Sequence, residues 1–167
     1  HASCISINHV VYHGIPSEKP LKDGDIVNID ITVIVDGWHG DTSRMFLVGD
    51  VPLKARRLVD VTYECLMLGI EQARPGNTVG DIGHAIQSHA ERQRYGVVRD
   101  FCGHGLGRLF HDAPEIVHVG RPDAAFSLFD LIVAGPEARL PIRDNVMQAA
   151  GPLAGPDLAR LQEAGER

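Results

Sequence analysis

The dipeptide Asp36-Gly37 constrains this chain more than any other feature. Asp-Gly between two β-prone runs signals a two-residue hairpin loop, because both central residues of a type I′ turn need positive φ. The flanks agree: residues 28–35 are rich in Ile, Val and Thr, and a second strand-like run follows over 38–46. With the loop at 36 and 37, Val35 faces Trp38, Thr32 faces Asp41 and Asp30 faces Ser43. Residues directly opposite, and residues two apart on one strand, share a face. Asp30 and Asp41 are therefore diagonal neighbours, with Cβ atoms roughly 6–8 Å apart. Ile29, Ile31, Val33 and Val35 take the other face, the one expected to be buried.

Aspartate is depleted in strands, and a carboxylate on a half-buried face needs a partner. Two of them at this spacing repel unless a proton or a cation lies between. One or two metal ions answer that most simply, since a dinuclear pair ~3.5–4 Å apart fits between such side chains. An exposed polar face carrying two unrelated aspartates is the alternative, and the hairpin alone does not separate the two.

The 167 residues are enough for one domain with a real core. With 16 Lys+Arg against 22 Asp+Glu, the net charge of −6 argues against direct nucleic-acid binding and suits a cytoplasmic protein. Cys4, Cys65 and Cys102 form an odd set without a CxxC pair, as expected of free thiols in a reducing compartment. No apolar run approaches the ~18 residues of a membrane span.

Along the chain, residues 4–11 alternate as a strand, and a polar loop leads to the hairpin. Residues 52–74 read as a helix with Leu58, Val61 or Thr62, Cys65, Leu66 and Ile70 on one face. Asn77 or Thr78 caps a second helix over 79–94, with Ile82, Ala85, Ile86 and Ala90 inward. Residues 96–102, GVVRDFC, read as a strand running into GHGLGRLFHDAPE. There His104 and His111 stand seven residues apart, with glycines at 103, 105 and 107. Alternating glycines exclude a stable helix and let backbone approach a site closely. Neutral imidazoles beside paired carboxylates make a mixed N/O donor set suited to manganese, iron, cobalt or zinc.

CISINHVVYHGIP, LKDGDIVNIDITVIVDGWHGDTSRMFLVG and VVRDFCGHGLGRLFHDAPEIVHVG together resemble type I methionine aminopeptidases over residues 1–120. The resemblance implies the pita-bread α/β (α+β) fold, a curved antiparallel sheet backed by helices. It implies a hydrolase that removes the initiator methionine from nascent polypeptides, using two divalent ions (cobalt, manganese, iron or zinc). By the same likeness Asp30, Asp41 and His104 are metal ligands, and His13 and His111 contact substrate and support the tetrahedral intermediate. Cys4 and Phe110 line the methionine pocket, although by their own chemistry both read as ordinary core. Action as a cytoplasmic monomer, associated with the ribosome and not with membranes, is the matching expectation for partners and location.

The pattern breaks at both ends. The family's two later carboxylates, one in an F-T-I-E-P setting, have no equivalent motif. After Gly120 the glutamates are Glu137, Glu163 and Glu166, and Glu137 sits in AGPEARL with proline on the wrong side. Residues 121–167 are expected to be a divergent tail rich in Ala, Gly, Pro and Arg, read in a shifted frame. A chain short of ligands is expected to bind metal weakly and to show impaired activity. A non-catalytic pita-bread binding module is the runner-up, and a hydrolase of Xaa-Pro peptides the third reading.

Overall fold

The computed structural model describes residues 3–124. The Asp36-Gly37 turn forms as its composition requires, with φ of +52° and +78° at the two residues. It joins β2 (Ile26–Val35) to β3 (Trp38–Leu47), paired Val35↔Trp38, Thr32↔Asp41 and Asp30↔Ser43. This is the register expected from the turn alone. β1 (Ser3–Ile7) adds on the other side of β2, with Cys4 opposite Asp30. It stops earlier than alternation suggested, because Asn8 enters the left-handed region at φ +54° and the chain turns away.

The helices follow as α1 (Leu53–Gln72) and α2 (Val79–Arg92). Thr78 and Asp81 form a reciprocal capping box at the start of α2, with the Thr78 N–H donating to Asp81 Oδ2 at 2.7 Å. α1 and α2 pack on each other, and α2 also packs on the strand Asp112–Ile116. Val61, Cys65, Leu66, Val79, Ile82, Ile86, Ala90 and Ile116 form the buried core. Burial pushes the Cys65 thiol up to about 11, as expected for a cysteine used as a small core hydrophobe. Gly83 makes the close packing possible: a Cβ there would lie 2.7 Å from the Val119 carbonyl oxygen.

The last pair is β4 (Gly103–Gly105) against β5 (Asp112–Ile116), antiparallel and irregular between His104 and Gly105. The strand expected over residues 96–102 is not formed. Val97 packs against the helical core, but a strand also needs a partner ladder, and ladder pairing here begins only at Gly103. Just past β5, His118 is 1% exposed, and neither ring nitrogen has a well-formed hydrogen bond among the described residues. Burial drives this imidazole down to about 4, with the Phe101 backbone acting weakly the other way.

The faces of the hairpin are the reverse of the expectation. Asp30, Asp41 and Ser43 are buried, while Ile31, Val33 and Val35 are exposed, Val33 by 52%, and Ile29 is half-buried. No residue of β1, β2 or β3 belongs to the helical core, and on the apolar side of β2 burial is confined to Val27 and, in part, Ile29 at the start of the strand. The polar side meets the histidine segment at His39, whose ring lies 5.5 Å from that of Phe110.

Candidate metal and peptide site

The site is built on the aspartate face. Asp41 is 2% exposed and accepts a 2.6 Å hydrogen bond from the Thr32 hydroxyl directly across the ladder. Asp30 lies on the same face one step along, between Cys4 and Ser43. Both carboxylates act on the Cys4 thiol, which burial first and then their charge hold above its ordinary value. Cys4 thus stands on the same face, beside the two aspartates.

His104 enters from β4. Its Nδ1 lies 2.9 Å from the Gly105 carbonyl oxygen. A carbonyl can only accept, so Nδ1 is the donor, and in the neutral tautomer the lone pair is then on Nε2. That Nε2 is buried and has no hydrogen-bond partner among the described residues. Glycine at 105 is obligatory, because a Cβ there would collide with the Ala113 carbonyl across the β4–β5 pair. The glycine pattern thus lets this short strand lie directly on its neighbour.

His111 and Phe110 fold back onto His104, with ring centroids 4.4 Å and 5.6 Å from it. Burial lowers the His111 pKa, His104 and His13 lower it further, and Asp41 opposes them. One imidazole therefore senses three of the other expected site residues. His13 reaches this group from a backbone at φ +56°, a left-handed conformation costly for a non-glycine residue. Its loop is pressed on β1, where the Ile5 N–H donates to the Gly14 carbonyl at 2.8 Å. Cys4, His13, Asp30, Asp41, His104, Phe110 and His111, scattered over more than a hundred positions, thus share one neighbourhood. Glu137 lies outside the described residues, as do Glu163 and Glu166.

The donor chemistry fits a divalent cation in kind. Two buried carboxylates and an imidazole nitrogen fixed by its other nitrogen's hydrogen bond are the usual partners of manganese, iron, cobalt or zinc. The fit is partial in number, since among the described residues no three His, Cys, Asp or Glu side chains converge closely enough to enclose an ion. The sequence reading missed one neighbour, His39. It shares a face with Asp41, and its ring lies 5.5 Å from that of Phe110. Its position two residues before Asp41 was the available signal.

Comparison with known proteins identifies the family and the fold. The model of metallopeptidase family M24 matches residues 1–135. A methionine aminopeptidase of Rickettsia prowazekii is 63% identical over 125 residues, covering 75% of this chain and 48% of that relative. The crystal structure of methionine aminopeptidase from Rickettsia prowazekii superposes with a TM-score of 0.73 at 62% identity, covering 75% of this chain and 50% of the other. An X-Pro aminopeptidase from Thermotoga maritima superposes at 0.64 with 19% identity, covering 75% and 36%, a likeness of fold alone. The fold is the pita-bread arrangement, and the chain spans about half the length of the curated relatives it matches.

Proposed function

The chain belongs to metallopeptidase family M24, and from that premise we propose that it carries part of the active site of a methionine aminopeptidase. The substrate is the N-terminal methionine of nascent polypeptides. Asp30, Asp41 and His104 hold the metal, with cobalt, manganese, iron or zinc as candidates and two ions in the complete site. The observation that carries this reading is the buried Nε2 of His104, which has no hydrogen-bond partner among the described residues and whose ring lies 4.4 Å from that of His111, itself within the field of Asp41. A buried acceptor with no donor is costly, and a cation removes that cost. When bound, the metal supplies Lewis acidity toward the scissile carbonyl and activates water.

The remaining residues shape and stabilise. His13 and His111 meet the substrate from two loops, and a ring N–H of His111 donates to the oxyanion. Cys4 and Phe110 border the space for the methionine side chain. Work at the ribosome, as a monomer and in the cytoplasm, belongs to the same proposal. The methionine reading is preferred to Xaa-Pro cleavage because 62% identity goes with the methionine enzyme against 19% with the X-Pro enzyme.

The test is methionine release from a Met-Ala-Ser peptide with cobalt or manganese, using Asp41→Ala as the blank. Release above that blank, falling roughly 10²–10³-fold in His111→Ala, supports the reading. Cobalt binding that survives Asp41→Ala and His104→Ala would sink the ligand assignment, and the chain would then stand as a binding module.

A further inference from the structure

The aspartate hairpin and the histidine segment are far apart in sequence, and the function proposed above needs their relative position held closely. One residue joins them twice. The backbone N–H of His39 donates to the Gly107 carbonyl oxygen at 2.9 Å, and His39 Nδ1 lies 3.0 Å from the same oxygen. The two residues are 68 positions apart. Beside this pair, the Arg108 guanidinium sits over the Trp38 ring, 4.6 Å from its centroid. Trp38 and His39 on β3 thus grip Gly107 and Arg108, consecutive residue for consecutive residue.

Both ends of the grip lead to the site. His39 stands two residues before Asp41 on the same strand face. Gly107 stands midway between His104 and His111 in the sequence. The His39 ring also meets Phe110, 5.5 Å between centroids, and Phe110 meets His111 at 4.3 Å. We propose that His39 is a positioning residue, a strut from strand β3 to the Gly107 carbonyl that sets His104 and His111 against the Asp30–Asp41 pair. The inference rests on the metal-dependent aminopeptidase reading of that face only for what the positioned groups do; the strut itself is a geometric claim.

The chemistry of the strut is specific. A carbonyl only accepts, so the Nδ1 position must supply the donor. Asparagine places an amide N–H at nearly that position, whereas alanine places nothing there. The partner groups of metal sites typically carry a tenfold to hundredfold effect on affinity.

Nitrogen-15 spectra of the histidine rings test the strut in the unaltered chain, where His39 is expected as the Nδ1–H tautomer. In His39→Ala, the ring signals of His104 and His111 are expected to move while the α1 and α2 amide signals stay in place. Cobalt affinity should fall roughly tenfold, and His39→Asn should restore both the signals and the affinity. An Nε2–H tautomer at His39 overturns the proposal, even where the alanine variant does not fold. Unmoved His104 and His111 signals in His39→Ala, or an asparagine variant as impaired as the alanine one, overturn it equally. If the unaltered chain binds no cobalt, the metal reading fails, while the tautomer and the ring signals still decide the strut.

Discussion

The helical pair and the hairpin bury opposite kinds of surface. Between α1 and α2 the interior is dry and apolar, with Ile82 fully buried and Ile86 nearly so. On the hairpin the buried side holds Asp30, Asp41 and Ser43, and the exposed side holds Ile31, Val33 and Val35. Apolar burial in the first region drives folding. Polar burial in the second contributes little to folding and concentrates carboxylates of the kind proposed above to hold a cation. The difference teaches that apolar packing and the candidate site are housed apart: α2 packs on β5, and β4, paired with β5, carries His104.

The contrast makes its largest prediction in the helical core. Ile82→Ala should cost about 4 kcal/mol, because a fully buried isoleucine leaves a cavity that packed helices close only in part. Urea unfolding followed by circular dichroism reads this. A loss below about 1 kcal/mol would show that the α1–α2 interior is loosely packed and the contrast unfounded.

Acid should act next. His118 is held at about 4 by burial, against about 6.5 in an unfolded chain. Above pH ~6.5 both states carry the ring neutral, and the full stability is present. As pH falls below that, the unfolded chain takes up a proton that the folded one refuses until about 4. Stability should therefore drop across this window by roughly 3 kcal/mol. His111, also lowered by burial, adds to the drop with the same sign. Unfolding midpoints taken from pH 7.5 down to 4.5 measure it, and His118→Leu should flatten the profile. An unflattened profile would assign the acid response to the hairpin side instead.

Two smaller effects sharpen the comparison. Thr78→Ala removes one half of the capping box and should cost about 1 kcal/mol in the same unfolding assay. Val33→Thr on the open side of β2 should change stability by less than about 0.5 kcal/mol. A loss several times larger would mean that Val33 is covered in solution, and that the hairpin has an apolar core of its own.

Local chemistry made much of this legible in advance. Asp-Gly demands a turn whose geometry sets register, so the pairing of Asp30 with Ser43 and Thr32 with Asp41 followed from the turn. Leu66, Ile82 and Ile86 fell on inward faces because a helix repeats at a known angle. His104 and His111 could be picked out because glycines crowd the first, and the Gly105 backbone contact bears out why they do. The resemblance, more than the residues, singled out His13, Cys4 and Phe110.

What the sequence determined by itself is local: turn type, strand register, helix phase, and therefore that two carboxylates share a face. The tertiary structure decided which face is covered, that residues 96–102 stay out of a ladder, and that His39 grips Gly107. Those outcomes depend on which segment arrives to cover a surface or complete a row of hydrogen bonds. A strand's own residues set its two faces apart, but only the remainder of the fold chooses the inside.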